Sequence, residues 1–445
     1  MKTPVKISLV IGFILPLSPA VWADLFDQDK LTVINKNFYF YRDFRNGGFN
    51  PSGANVNVPI SEKEGYRSEW AHGIIANYSS GYTDSLIQLG FDAYGLLGIK
   101  LYSDEYKTGT NLLEFDPVTG KTKAAFGELG GALRLKYNDT VITYGNQFPN
   151  IPVIATSTVR LLPTVSTGLT LQDKTIKNMT LNAGYFYQMN PFDSTKNFNY
   201  FTTDYSSGIK ADSLSFIGGT YKLQDGSITV YASELEDVWN QYFLGASYQH
   251  PLSSNNENLR FNLSSYANND TGDRLGGEIE SYIASTLLSY QKGSHTFTAG
   301  YQQVFGNEPF DWVGFSTMGA NKSILNAVNY STFSEAQEKS WQLKYELDLA
   351  EYGLQGLILM GLYMYGWDMN NSHSNNSYYT KRHIYDQNID NKHWERNFLI
   401  NYKVPSGFAK GTDIKLVQST HRATKGYRYN DIDEFRIIFE YPLSF

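Results

Sequence analysis

The closing segment, DEFRIIFEYPLSF, alternates with a period of two. Its odd positions read Phe435, Ile437, Phe439, Tyr441, Leu443 and Phe445. Its even positions read Arg436, Ile438, Glu440, Pro442 and Ser444. Successive side chains of a strand point to opposite faces, so this period predicts a strand with one apolar, mostly aromatic face and one wet face. SWQLKYELDLAEYG repeats the design. Trp341, Leu343, Tyr345, Leu347 and Leu349 alternate with Gln342, Lys344, Glu346 and Asp348. An apolar face of this kind must meet either a core or lipid.

Composition chooses lipid. The chain of 445 residues holds 7 Trp, 34 Tyr and 27 Phe, 15% aromatic in all, yet its mean hydropathy is only -0.38. A transmembrane barrel reconciles the two, because aromatic girdles mark both interfaces while a polar lumen lowers the average. A lipid-facing charge near the midplane costs about 2–4 kcal/mol, which assigns the charged faces to the lumen. The greasiest later stretch, GLQGLILMGLYMYGWD (353–368), is too short and too interrupted for a spanning helix.

The start of the chain reads as a secretory signal. Lys2 and Lys6 precede an apolar run over 7–17, and Val21-Trp22-Ala23 offers a cleavage site. The expected organisation is a signal peptide over 1–23 and one barrel over 24–445. No Cys is present, which excludes disulfides, thiolate metal sites and a lipid-attachment Cys. The net charge of -7, without a basic patch, excludes nucleic acid as a partner.

Alternating runs over 31–44, 131–144, 341–349 and 435–445 are punctuated by Gly, Asn, Asp and Ser. Short turns (79–82, 352–355) alternate with long polar loops (44–66, 369–394), the plan of an outer-membrane barrel. The pattern begins near Leu31, which leaves no room for an N-terminal plug. The last strand is expected to pair with the first and so abolish edges. The terminal Phe445 resembles the signal read by the bacterial barrel assembly machinery.

Several segments, in order along the chain, resemble the OprD-type (Occ) porins of Gram-negative bacteria. They are KNFYFYRDF, GFDAYGLLGIKL, GGALRLK, VRLLPTVSTGL, ELEDVWNQYF, HTFTAGYQQVFGNEPFDWVGF, EKSWQLKYELDLAEYG and DEFRIIFEYPLSF. The resemblance implies an all-β, antiparallel barrel of eighteen strands acting as a monomer. It also implies a third outer loop folded inward as a constriction, and a ladder of Arg and Lys that guides solutes bearing a carboxylate. The PFDWVG and terminal segments lean towards the branch that takes basic amino acids.

The candidate ladder is Lys36, Arg42, Arg134, Lys136, Lys415, Arg422 and Arg436. Cations lining a pore favour an anionic group, and several moderate sites let a solute step along instead of sticking. Two rungs common in the family are replaced by Leu362 and Val417. Ile358, Met360, Leu362 and Met364 then face inward, which predicts an apolar strip beside an incomplete ladder. The constriction is placed at 145–168, where Pro149, Pro152 and Pro163 suit a fixed loop. Arg160 is its one charge, and Asp311 is the candidate opposing acid.

Enzyme signals are weak. His72, His250, His295, His373, His383, His393 and His421 form no metal-spaced pair on one strand, and no GxSxG, P-loop or HExxH occurs. Neither a cofactor nor a metal is expected. The reading is a channel for passive, partly selective uptake of small hydrophilic solutes, either basic amino acids or carboxylate-bearing compounds, with carbapenem-like antibiotics as passengers. A low-selectivity diffusion porin is the first rival. An adhesion barrel and an outer-membrane enzyme are the others.

Overall fold

The computed structural model describes residues 28–445 except 254–256, 317, 322, 381–387, 426 and 428–429. The expected signal segment and His383 lie outside the described residues. Eighteen strands form one closed sheet. They are β1 (Lys30–Phe44), β2 (Tyr66–Ser79), β3 (Gln88–Tyr102), β4 (Ala125–Tyr137), β5 (Thr140–Gln147), β6 (Val165–Asp173), β7 (Met179–Asn190), β8 (Leu214–Lys222) and β9 (Gly226–Leu235). The circuit continues through β10 (Trp239–Ser253), β11 (Glu257–Asp270), β12 (Glu280–Lys292), β13 (His295–Gly306), β14 (Lys339–Asp348), β15 (Leu357–Trp367), β16 (Lys392–Lys403), β17 (Asp413–Ala423) and β18 (Ile432–Ser444).

Each strand pairs antiparallel with its sequence neighbours, and β18 returns to β1 in the register Val33↔Leu443 and Tyr39↔Ile437. Phe445 N donates to Leu31 O (2.9 Å), and Leu31 N to Phe445 O (3.2 Å). Closure leaves no unpaired edge, as backbone in lipid requires. No described helix is long and apolar enough to cross a membrane, so the crossing falls to the strands.

The outer wall is apolar. Leu129, Leu133, Ile217 and Leu343 stand 87%, 65%, 65% and 57% exposed. The closing strand points Phe435, Ile437 and Phe439 outward and buries Glu434 and Arg436. The run expected as one strand over 131–144 is a hairpin instead. It turns at Asn138-Asp139, where Asn138 takes a left-handed φ of 51°, a conformation Asn adopts readily.

Long connections collect at one end: 45–65, 103–124, 148–164, 191–213, 307–338 and 368–391. Both described termini and most of the short turns lie at the other, while the short turn 236–238 stays on the long-loop end. The described parts of loops 191–213, 307–338 and 368–391 fold over the β7–β13 side. Phe201, Tyr205, Phe310, Trp312, Phe315 and Tyr379 pack there with wall residues such as Phe186 and Tyr266. Burial of these rings fills that side of the lumen. The open path is left along β1, β2 and β15–β18.

Candidate functional site

The constriction starts from loop 148–164. Gly145 and Gly168 are still paired in the β5–β6 ladder, so the loop is shorter than the expected 145–168. Leu161 and Leu162 insert among Phe38, Phe40, Ala71 and Ile75. Gly73 admits them, since a Cβ there would stand 3.1 Å from Leu161 Cγ. Lys36 Nζ donates to Arg160 O (2.7 Å), and Arg160 Nε donates to Thr110 O (2.7 Å). An Ala155↔Ala320 bridge joins this loop to loop 307–338.

Loop 307–338 approaches from the other side. Asn329 Nδ2 donates to Ser419 Oγ (2.6 Å) and Glu434 Oε1 (2.9 Å), and Arg436 Nη2 donates to Asn329 O (3.2 Å). The backbone N–H groups of Tyr330 and Ser331 donate to Glu395 (3.0 and 2.8 Å). Both loops are thereby fixed by the wall they narrow.

Three cavities follow one another. An outer chamber of about 730 Å³ is lined by Arg42, Arg67, Arg160, Asp204, Met318 and Tyr330, among others. A middle chamber of about 840 Å³ shares Thr158, Val159, Val328, Asn329 and Arg436 with it, so these residues surround the eyelet. An inner chamber of about 990 Å³ shares Asn77 and Phe148 with the middle one and reaches Lys30, Tyr82, Asp92 and Lys222.

Cations dominate the eyelet. Arg42 Nη2 and Arg436 Nη2 both contact Glu434 at 2.5 Å, so one carboxylate serves two guanidiniums. Arg67 Nη1 donates to Gly109 O, a backbone group without charge to offset it. Arg160 has no carboxylate within 4.0 Å among the described residues. Burial, then the facing guanidiniums of Arg436 and Arg42, pull it well below its ordinary value. The guanidiniums of Arg42, Arg160 and Arg436 lie 5.1, 5.3 and 5.0 Å from the Phe40 ring centroid, within reach of cation–π attraction. The group therefore carries surplus positive charge.

Lys36, Arg42, Lys415, Arg436 and Arg160 are brought together along this path. Lys36 and Lys415 meet Glu440 at 3.2 and 3.7 Å in the middle chamber. Leu362 and Val417 line the same chamber with Met360, Leu399 and Ile438, forming the apolar strip. Arg134 and Lys136 sit apart, at the short-turn end. Arg134 contacts Asp92 (3.1 Å) and donates to Ser80 O (2.7 Å), while Lys136 lies 5.2 Å from the Tyr82 ring centroid.

Two expectations need correction. Arg422 stands on the outward face. It is an odd number of residues from Lys415, so the pleat turns it the other way, and it contacts Asp433 at 3.0 Å on the outside of β18. Asp311 is buried within the loop packing. It accepts from Tyr205 N (3.1 Å), Trp312 N (2.8 Å) and Tyr379 Oη (3.2 Å) and does not line the eyelet. Asp204 is the acid that lines the outer chamber, its Oδ1 accepting from Gly319 N (2.6 Å).

Sequence reading also missed Arg67 and Glu434, although parity marks both as inward: Arg67 alternates with the exposed Trp70, and Glu434 with Phe435. It missed a polar cluster above the eyelet. His393 Nδ1 and His421 Nε2 lie 2.9 Å apart, with Glu338 Oε1 2.5 Å from His393 Nε2. These residues meet only across strands and a loop. No group of three His, Cys, Asp or Glu is placed to hold a metal among the described residues.

Residues 23–445 match the model of a family described as outer membrane porin, OprD family. Porin D of Pseudomonas aeruginosa is 35% identical over 94% of this chain and 91% of its own. The crystal structure of Pseudomonas aeruginosa OprD superposes with a TM-score of 0.79 at 32% identity, covering 96% of this chain and 98% of that one. The structure of Pseudomonas aeruginosa OpdK with vanillate does so with a TM-score of 0.82 at 26% identity, covering 95% and 100%.

Proposed function

The chain belongs to the OprD family of outer membrane porins, and from that premise we propose that it is a passive, partly selective channel for small hydrophilic solutes that carry a carboxylate. As a family member it is a channel of the bacterial outer membrane. The observation behind the proposed selectivity is the eyelet and the chamber above it, where the guanidiniums of Arg42, Arg67, Arg160 and Arg436 outnumber the described carboxylates beside them: Glu434, placed between two of them, Glu395 and Asp204. A carboxylate leaving the eyelet next meets Lys36 and Lys415 in the middle chamber. Arg134 and Lys136 extend the ladder to the inner mouth. Arg422 drops out of the ladder, and Arg160 carries the constriction.

The relative solved with vanillate, an aromatic carboxylate, supports this class of solute. A basic amino acid offers a carboxylate to the arginines and a cation to Asp204 and Glu440, so it stays within the same reading, as do carbapenem-like antibiotics. No catalytic step is involved. The signal peptide is proposed over 1–23, ahead of a barrel over 24–445. Phe445, half free at the end of β18, is the group offered to the barrel assembly machinery. One chain encloses the whole path, in keeping with a monomer.

A second reading has its own observation. Leu362 and Val417 face the middle chamber where rungs would stand, and a broken ladder favours a general diffusion porin. Uptake into liposomes separates the two. Benzoate and arginine are each compared with a neutral sugar of similar size. Both carboxylates ahead of the sugar is the expected result. Equal rates for all three would leave only the diffusion porin.

A further inference from the structure

The outer wall carries a furrow of about 560 Å³ across β12–β16. It follows one hydrogen-bonded register row, from Arg396 through Tyr363, Leu343 and Ala299 to Leu288. Ala299 and, in the next row, Gly361 supply the depth, because neither projects as far as its neighbours. Leu343 and Leu288 are 57% and 53% exposed, so the furrow opens outward and not into the lumen.

The row slopes. Arg396 lies in the outer half of β16, and Leu288 in the inner half of β12. Five strands give four spacings of ~4.8 Å, about 19 Å, which is the span of one extended acyl chain. Trp394 and Trp341 lie 5.8 and 5.6 Å from Tyr363, forming an aromatic girdle of the kind that marks the headgroup level.

Arg396 heads the furrow. Other outward cations of this rim are matched: Lys339 with Asp368 (2.9 Å), Lys392 with Asp390 (3.7 Å) and Arg422 with Asp433 (3.0 Å). Arg396 has no carboxylate within 4.0 Å among the described residues. It reaches only Thr420 Oγ1 (3.4 Å) and the Phe398 ring, 5.2 Å from its centroid. The planar guanidinium can donate two parallel hydrogen bonds to an oxygen-rich anion, and at headgroup depth that anion is a phosphate.

We propose that this furrow binds a phosphorylated, acylated lipid of the outer leaflet, one acyl chain lying in the groove and its phosphate on Arg396. The site is outside the solute path and requires only that the protein sits in the outer membrane.

The test is lipid retention by the intact protein in mild detergent, read by native mass spectrometry. The probes are lipid A, phosphatidylglycerol and phosphatidylcholine. Wild type should retain lipid A, and Arg396→Gln should bind it about five-fold more weakly, the loss expected for one interfacial cation. Gly361→Leu should lose retention while keeping the charge. A Cβ at Gly361 meets only Phe398, at 3.6 Å, so the longer side chain extends into the furrow. Both variants should conduct as wild type does. Should Gly361→Leu not fold, Ala299→Leu fills the same groove from β13, two strands away. Equal retention by wild type and variants would overturn the proposal, as would retention of phosphatidylcholine equal to that of lipid A. A preference for phosphatidylglycerol would overturn the outer-leaflet assignment.

Discussion

Neutralising Arg436 tests the eyelet most directly. Arg436 touches both the outer and the middle chamber, and it rises from a rigid strand instead of a loop. With Arg42 and Glu434 it forms a triad of net charge +1. Arg436→Gln reduces that to zero, while Glu434 keeps Arg42 at 2.5 Å and is not left as a lone buried charge. A carboxylate passing within ~4 Å loses roughly 1 kcal/mol if the eyelet behaves as bulk water and roughly 4 kcal/mol at an effective dielectric of 20. The eyelet is wet on two sides, which places the loss nearer the lower figure, about 1–2 kcal/mol, or roughly 5- to 30-fold in partitioning. Reversal potential in planar bilayers under a KCl gradient reads anion preference, and liposome uptake of benzoate against a neutral sugar reads the solute. Benzoate uptake should fall by that factor while the sugar is spared. The difference should fade at 1 M salt, where the Debye length is about 3 Å. An equal fall for both solutes, or an unchanged reversal potential, would refute the charge argument.

Other expectations follow from the same geometry. Leu362→Arg puts a guanidinium where the apolar strip faces the middle chamber, and should raise anion preference several-fold in the same bilayer assay; no change would mean that the missing rung is immaterial. Asp311→Ala removes the acceptor of three hydrogen bonds, two of which, from Tyr205 N and Tyr379 Oη, tie loops 191–213 and 368–391 to loop 307–338. It should cost about 3 kcal/mol in thermal unfolding and increase open-channel noise. Asp193, which accepts from Asn111 Nδ2 (2.9 Å), is pushed up to about 7 by burial. Its folded value lies above the ordinary 3.8, so the buried position contributes its full stability below that lower value, with the carboxyl protonated, and loses it as pH rises through about 7, when burial penalises the charge despite the Asn111 hydrogen bond. Limited proteolysis within loop 191–213 should accordingly be slower at pH 5 than at pH 8, and Asp193→Asn should flatten the difference.

The barrel was legible because the period of two is enforced by lipid on one side. Phe435, Ile437 and Phe439 had to share a face, and so did Lys36 and Arg42. The same rule explains the errors. Lys415 and Arg422 differ in parity and cannot share a ladder without a bulge. The run over 131–144 changes its outward set from Leu133, Leu135 and Tyr137 to Ile142 and Tyr144, a switch that one unbroken strand does not make. Asn138-Asp139 is where it happens. The loops carry no such constraint. That Asp311 is enclosed by Tyr205, Trp312 and Tyr379, and that Asn329 reaches Glu434, are contacts between segments far apart in sequence, with no period to announce them.

In this lumen the charges that act on a solute also hold the loops that set its size. Glu434 accepts from Arg42 and from Asn329, Arg436 donates to Asn329 O, and Lys36 donates to Arg160 O. Arg436 and Lys36 thereby hold the constricting loops while, in the proposed reading, they also meet the passing anion. An apolar wall would need separate struts to fix loops 148–164 and 307–338, and those struts would occupy the path. Using the ladder itself as the strut leaves the path open and keeps the surplus guanidiniums pointed at it. The desolvation of Arg42 and Arg436, several kcal/mol per ion in a dry interior, is moderated by the chambers on either side. That is why four arginines can gather here with fewer carboxylates to offset them, where a sealed core would not tolerate the surplus.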